Sequence, residues 1–119
     1  MEGVAFGTCN VIEKYNEEAA DVTEIVACGG GSNNKPWVQM IADICGKQII
    51  VNECEQGGVL GCCVVGAAES VFGGDYKKAA DALVHKSDLY VPNMELHKVY
   101  RPIFERYKAL YEGTKNISR

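Results

Sequence analysis

The fold of this chain is decided by one stretch of its sequence, Ile25-Val26-Ala27-Cys28-Gly29-Gly30-Gly31-Ser32-Asn33-Asn34-Lys35-Pro36-Trp37. A short apolar run ends in three consecutive glycines, and a proline, which suits the first turn of a helix, follows two asparagines. This order predicts a strand, a tight loop and a helix N-terminus. Because glycine has no Cβ, a flat ligand could approach the loop backbone closely. We also expect the free N–H groups of the helix to point at the same place.

The glycine loop does not match either common nucleotide motif. It lacks the Gly-x-x-x-x-Gly-Lys-Ser/Thr pattern of phosphate loops, and Ser32 to Asn34 stand where the dinucleotide pattern Gly-x-Gly-x-x-Gly needs spaced glycines. Glu53 lies near the distance of the acidic residue in dinucleotide sites, but the failed glycine spacing makes an oxidoreductase fragment a weak hypothesis. From the residues alone, a nucleotide loop and a tight turn without a ligand both remain open.

The composition is that of an ordinary globular domain. With 119 residues, 47% of them hydrophobic and 24% charged, the chain is long enough for one domain and too short for two. A net charge of -4 argues against a nucleic-acid surface. No apolar run approaches the roughly 20 residues that cross a bilayer, and the N-terminus lacks the basic and apolar regions of a secretory signal. We therefore expect a cytoplasmic protein that binds neither nucleic acid nor membrane.

The six cysteines do not form a metal-binding pattern. None is spaced as Cys-x-x-Cys, and the chain has only two histidines, so a structural zinc site is disfavoured. We interpret the cysteines as buried, reduced thiols, since no histidine or cationic residue is an evident neighbour in the sequence. They are Cys9, Cys28, Cys45, Cys54, Cys62 and Cys63.

Apolar spacing and end signals predict two short strands among about five helices. The two strands, Glu24–Cys28 and Gln48–Val51, flank one helix and so predict a parallel βαβ unit. The glycine-rich helix at 57–72 is expected to pack closely on a helix or the sheet, or else to admit a ligand. The other predicted helices cover 2–16, a segment from Pro36 to Cys45, 76–85, and a segment from Asn93 to Gly113 that Pro102 should kink.

Two buried strands make a poor sheet on their own. The apolar faces and edges of the predicted sheet require further strands, which this sequence does not supply. We therefore expect the chain to be part of something larger, or to self-associate through the exposed edge of its sheet.

The segment Gly29–Asp43 resembles the adenosine motif of the FGGY carbohydrate kinases, which include xylulose, ribulose and glycerol kinases. Glu2–Thr8 is similar to the helix that precedes that motif, and Glu55–Cys63 is similar to the acidic, small-residue helix that follows it. The segment Tyr90–Asn93, followed by His97 and Tyr100, is similar to the family's closing segment. The resemblance covers nearly all 119 residues, in the family's order.

This resemblance implies an α/β fold that is a fragment of an actin-like ATPase, or ribonuclease-H-like, domain. Residues 1–119 would be the C-terminal part of the second, ATP-binding domain, and the N-terminal sugar-binding domain would be absent. In the complete enzyme, ATP with Mg²⁺ would lie between the two domains, and a pentulose or polyol hydroxyl would be phosphorylated.

The resemblance also assigns the site residues. The backbone of Gly29, Gly30 and Gly31 would lie against the adenosine, and the amide of Asn34 would meet the adenine as both donor and acceptor. Ser32 and Asn33 flank the site and are weaker candidates. Asn33 stands where lysine is common in the family, and Pro36 comes one place later than the usual proline.

The family's catalytic aspartate and its phosphate-binding segments have no counterpart in this sequence. Each aspartate here fits a helix end or a polar face, so no catalytic residue and no metal ligand is assigned. Phosphoryl transfer depends on positioning and charge neutralisation around the phosphates, so the fragment alone is expected to be inactive. The alternative is a non-catalytic nucleotide-sensing or assembly module with the same fold.

Overall fold

A computed structural model describes residues 1–54 and 56–117, which form five α-helices and one three-stranded sheet. Glu55, which opens one of the segments quoted above, lies outside the described residues, as do Ser118 and Arg119. In chain order the elements are α1 Glu2–Glu18, β1 Glu24–Ala27, α2 Lys35–Cys45, β2 Gln48–Asn52, α3 Gly57–Ser70, α4 Tyr76–Leu83, β3 Lys86–Tyr90 and α5 Met94–Thr114.

The sheet has the strand order β1-β2-β3. β1 and β2 pair in parallel, with Ile25 opposite Ile49 and Ala27 opposite Val51, so the predicted βαβ unit is confirmed. β2 is the central strand, and its Ile49, Ile50 and Val51 are all buried. The uninterrupted apolar run of this strand reflects burial on both faces.

The prediction of only two strands, both parallel, was wrong. Lys86–Tyr90, of which only Tyr90 was assigned from the sequence, to an extended connection, forms β3 and pairs antiparallel with β2. Four of its five residues are exposed, so it has no apolar alternation from which a strand could be predicted. The strand forms because its backbone satisfies the N–H and C=O groups along the second edge of β2.

One hydrophobic cluster joins α1, α2 and α5. Its buried residues are Ala5, Phe6, Cys9, Ile44 and Phe104. The Phe6 ring packs against three aromatic side chains of α5, with ring centroids 5.6 to 6.2 Å apart. α5 continues as one helix through Pro102, although the proline removes one backbone donor.

A second cluster lies between α2 and the sheet, where Val38, Ala42, Ile49 and Val51 are buried. α2 therefore has two buried faces, which makes it the central helix of the fold. Its N-terminal end receives the chain directly from the glycine loop, so the position of the loop is fixed by both clusters.

α3 does not have the neighbours that its glycines predicted. A Cβ built at Gly58, Gly61 or Gly66 would meet no described atom within 4 Å. α3 packs mainly on α4, and Ala68 is its one buried residue, whereas Val59 and Val65 are more than half exposed. Close packing of this helix within the chain was therefore a wrong prediction.

Among the residues that the structure describes, no helix is both long enough and apolar enough to cross a membrane.

Candidate functional site

The glycine loop turns sharply at the end of β1. Gly29 has a φ of 90°, which side-chain-bearing residues rarely adopt, and Gly30–Asn33 then form one short 3₁₀ turn. Ser32 closes this turn, since its backbone N–H and its Oγ both donate to the Gly29 carbonyl, at 3.0 and 2.6 Å. The Ser32 side chain is buried and holds the loop together, so its hydroxyl is already engaged.

One face of the loop is open. A Cβ built on Gly29 or Gly30 would meet no described atom within 4 Å, and one on Gly31 would lie 3.9 Å from the indole nitrogen of Trp37. Gly30, Gly31 and Asn33 are exposed. The backbone is therefore approachable from outside, as a planar ligand would require.

Asn34 is the N-cap of α2. Its Oδ1 accepts a hydrogen bond from the Trp37 backbone N–H at 3.2 Å, and its backbone carbonyl accepts from Val38. The side chain is exposed. Because capping uses only Oδ1, the Nδ2 amide group is the part of this side chain that can donate to a ligand.

The N-terminus of α2 offers fewer free donors than the sequence predicted. The helix begins at Lys35, so Pro36 is its second residue and has no N–H, while the Trp37 N–H is capped by Asn34. Only the N–H of Lys35 remains among the first three helical residues. A helix end of this kind is a poor phosphate site, since anion binding there depends on several free N–H groups. The expectation that several free N–H groups of α2 point at the loop was therefore wrong.

A cavity of about 330 Å³ lies beside the loop. It is mostly apolar and open to solvent, and it is lined mainly by β1, the loop and α2. The residues that line it include Ile25, Ala27, Cys28, Gly31, Trp37 and Ile41. A small aromatic group would fit such a surface better than a charged one.

The start of α3 comes close to the same loop. A Cβ built on Gly57 would lie 3.6 Å from the Cys28 Sγ, immediately before the glycines. This contact places a second glycine-rich segment next to the first. Of the glycines of α3, Gly57 thus has a local neighbour, whereas Gly58, Gly61 and Gly66 have no described atom within 4 Å of a built Cβ.

The C-terminal half of α2 is held by polar contacts that the sequence did not predict. Asp43 is buried, and its Oδ1 accepts from the Asn93 backbone N–H and from Gln39 Nε2, both at 2.8 Å. Gln39 Nε2 also donates to the Val91 carbonyl at 2.9 Å. These contacts fasten the segment before α5 to the helix that carries the loop.

His97 caps the other end of α2. Its Nδ1 lies 3.0 Å from the Asp43 carbonyl oxygen and 3.1 Å from that of Ile44, so the Nδ1–H tautomer satisfies the last turn. The ring also covers Gly46, where a Cβ would lie 2.7 Å from Cε1. His97 and Asp43 therefore hold α2 in place and lie away from the open face of the loop.

The cysteines differ from the prediction that all six are buried. Cys9 is buried and Cys45 and Cys54 are half-buried, but Cys28, Cys62 and Cys63 are exposed. The structure also places Cys54 and His85, with Glu53, around one cavity of about 240 Å³. The sequence did not suggest this histidine because β3 brings it back beside β2. Within residues 1–54 and 56–117, no group of three or more His, Cys, Asp or Glu side chains is placed to hold a metal ion.

The structure thus brings the predicted residues Gly29, Gly30, Gly31 and Asn34 together around one open turn. Ser32 lies beneath the turn and Asn33 lies at its exposed tip. The arrangement can present backbone and one amide group to a planar ligand, and it contains no acid or base placed for catalysis among the described side chains.

Comparison with known families and folds places this chain. A family model described as the C-terminal domain of the FGGY family of carbohydrate kinases matches residues 1–70. The chain is 30% identical over 118 residues to a xylulose kinase from Bacillus subtilis, covering 99% of this chain and 24% of the relative. It is 32% identical over 117 residues to a ribulokinase from Staphylococcus aureus, covering 94% of this chain and 21% of the relative.

Solved structures have the same fold. A ligand-bound xylulose kinase from Lactobacillus acidophilus superposes with a TM-score of 0.85 at 18% identity, over 96% of this chain and 23% of that one. A xylulose kinase from Rhodospirillum rubrum gives a TM-score of 0.79 at 20% identity, over 96% of this chain and 23% of that one. This chain spans about a quarter of the length of these relatives. It belongs to the FGGY family of carbohydrate kinases, as a C-terminal fragment with part of the actin-like ATPase fold.

Proposed function

We propose that this chain is the adenosine-binding C-terminal portion of an ATP-dependent carbohydrate kinase. The observation that carries the proposal is the open glycine turn at the end of β1, which leads directly into the exposed cap Asn34, in a chain of this family. Gly29, Gly30, Gly31 and Asn34 would bind ATP, with Ser32 and Asn33 as weaker candidates.

The contacts support the nucleoside end of ATP more than its phosphates. The adenine would lie on the Gly29–Gly31 backbone, and Asn34 Nδ2 would donate to a ring nitrogen while Oδ1 keeps its bond to Trp37. The apolar cavity beside the loop suits the base. Since the α2 N-terminus has only one free N–H in its first three residues, the phosphates would extend away from it.

The catalytic and sugar-binding groups of the complete kinase are assigned to segments outside this chain. The complete kinase would transfer the γ-phosphoryl group of ATP, with Mg²⁺ bound to the phosphates, to a hydroxyl of a pentulose or polyol. The relatives are a xylulose kinase and a ribulokinase, which supports a sugar as substrate. The sugar would bind to a separate N-terminal domain, and the protein would act in the cytoplasm.

The aspartates of this chain have local structural contacts that support this division. Asp43 is buried and bound by Asn93 and Gln39, and Asp75 caps α4 through the Lys78 N–H at 3.0 Å. Asp21 and Asp81 pair with lysines. None of these carboxylates faces the glycine turn, so we assign no catalytic base here.

A phosphorylation assay tests whether the catalytic base lies outside this chain. The purified chain is incubated with Mg-ATP and xylulose, ribulose or glycerol, and the sugar phosphate is quantified. We expect a heat of Mg-ATP binding by calorimetry but no sugar phosphate. Phosphate transfer above the level of a boiled control would contradict the assignment of the catalytic base to another domain.

A non-catalytic module is the second candidate, and the exposed apolar surface of the chain favours it. Val26 is 51% exposed at the free edge of β1, and α3 is apolar along most of its length. Such a surface would pair with a partner or with a second copy. Sedimentation velocity over a concentration series tests self-association, for which we expect a concentration-dependent dimer. A monomer at every concentration would exclude it.

A further inference from the structure

α1 and α2 bring two thiols to the same hydrophobic cluster, which lies between α1, α2 and α5. Cys9 on α1 is 2% exposed, and Cys45, the last residue of α2, packs against the same cluster and is half-buried. Cys9 Sγ lies 3.8 Å from the carbonyl oxygen of Ile44, the neighbour of Cys45. Cys9 Sγ therefore lies next to the peptide unit that joins Ile44 to Cys45.

Charged groups from two helices surround this pair. The neighbouring Cys45 thiol lowers the pKa of Cys9, with help from Arg101 and Lys108 on α5, whereas burial and Glu13 on α1 act in the opposite direction. The neighbouring Cys9 thiol, together with burial, raises the pKa of Cys45. The buried thiol is therefore the better thiolate, and the half-buried thiol is the one that a reagent can reach.

We propose that Cys9 and Cys45 are a redox-modification site and form a reversible disulfide with each other. The oxidant is a small-molecule disulfide such as oxidised glutathione. Cys45 attacks one sulfur of the oxidant while its proton passes to the departing glutathione sulfur, so a mixed disulfide and one glutathione thiol form. The Cys9 thiolate then attacks the Cys45 sulfur and displaces the second glutathione. Two protein thiols are oxidised, and one glutathione disulfide is reduced to two thiols.

The other four cysteines have no such partner arrangement in the part of the chain described. Cys62 and Cys63 are adjacent and exposed on α3, and Cys28 and Cys54 lie near the loop and in the Glu53–His85 cavity. The Cys9–Cys45 disulfide would enclose residues 9–45, and therefore β1, the glycine loop and α2. Closing a loop of this length should raise the melting temperature by about 10 °C.

The test uses a variant that keeps only this pair, with Cys28→Ser, Cys54→Ser, Cys62→Ser and Cys63→Ser. The reduced protein is incubated with oxidised glutathione, free thiols are blocked, and tryptic peptides are analysed without reduction. Because the Lys35–Pro36 bond resists trypsin, we expect peptide 1–14 to be linked to peptide 15–47. We also expect a higher melting temperature that dithiothreitol reverses.

The matched control has Cys45→Ser and retains Cys63, so it also has two thiols, and it should give no linked peptides. The same mapping on the unsubstituted chain shows whether the pair forms when all six cysteines are present. If the variant that keeps only Cys9 and Cys45 and the unsubstituted chain both melt cooperatively and yield only mixed disulfides with glutathione, the proposal is overturned. A linked pair that leaves the melting temperature unchanged would overturn the stabilising role.

Discussion

At the scale of single residues, the side chains of Asn34 and His97 each make a capping contact with α2 that the sequence alone does not reveal. Asn34 uses Oδ1 to cap α2 and leaves Nδ2 for a ligand. His97 binds the last carbonyls of α2 through Nδ1 and covers Gly46 with its ring. The first was predicted as a binding residue, whereas the second was predicted only as part of a resembling segment.

Asn34→Ala should lower the free energy of unfolding by about 1 kcal/mol, because the Trp37 N–H loses its cap. Asn34→Asp should cost much less, since a carboxylate caps as well and also suits a helix N-terminus. Urea unfolding of both variants measures the difference. Equal losses for the two variants would show that the cap contributes little.

Gly46→Ala should lower the free energy of unfolding by about 2–3 kcal/mol, from a left-handed conformation and a displaced imidazole. The φ of Gly46 is 64°, and the new Cβ would overlap the His97 ring. Gly66→Ala is the matched control, because its Cβ would meet no described atom within 4 Å and alanine favours a helix interior. Equal stability of Gly46→Ala and Gly66→Ala in chemical denaturation would contradict this prediction.

At the scale of elements, the strands and helices with a clear apolar pattern could be predicted, and those held by backbone or polar contacts could not. The glycine loop, α2 and the parallel pair follow from the run that ends at Cys28 and from Ile49–Val51. β3 was missed because it is mostly exposed and has no apolar alternation. The polar contacts that hold α2 were missed because Asn93 and His97 reach Asp43 from 50 and 54 residues away in the sequence.

Asp43→Ala should lower the free energy of unfolding by about 2 kcal/mol, since the Asn93 N–H and Gln39 lose their acceptor in a buried position. Asp81→Ala is the control, because Asp81 forms only an exposed i,i+4 pair with Lys77, at 2.9 Å. Thermal and urea unfolding compare the two. A similar loss of unfolding free energy in both variants would contradict a stabilising role for the contacts of Asp43.

Glu13 links α1 to α5 and should make stability depend on pH. Partial burial opposes its ionisation, but hydrogen bonds from Arg101 and Lys108 outweigh this and lower the pKa of Glu13. A lowered pKa in the folded state stabilises the fold above the unfolded value, near 4.3, and the gain is lost as pH falls through the folded pKa.

Glu13→Gln should therefore lower the free energy of unfolding by about 1 kcal/mol at neutral pH. The difference from the unsubstituted chain should shrink on acidification below about pH 4. Glu17→Gln, on the exposed face of the same helix, serves as the comparison. Unfolding curves at several pH values test this, and a gap that stays constant with pH would be inconsistent with the ion pair.

At the scale of the whole molecule, the chain is more extended than a self-contained domain. Its radius of gyration is 17.4 Å, against about 13.5 Å for a compact domain of this length. Two other features accompany this larger radius of gyration. The apolar helix α3 packs mainly on α4, and the outer edge of β1 has no partner strand in the described chain. These features agree with a fragment that spans about a quarter of its relatives.

The most direct test of adenosine binding is an NMR titration of the ¹⁵N-labelled chain with Mg-ATP. A parallel titration with Mg-GTP, which carries a different base, serves as the comparison. The account predicts saturable shifts centred on Gly29–Asn34 with Mg-ATP, and weaker shifts with Mg-GTP. Asn34→Asp, which keeps the cap but lacks the Nδ2 donor, should remain folded and lose affinity. A well-folded chain whose loop resonances do not move with Mg-ATP, or move equally in Asn34→Asp, would contradict it.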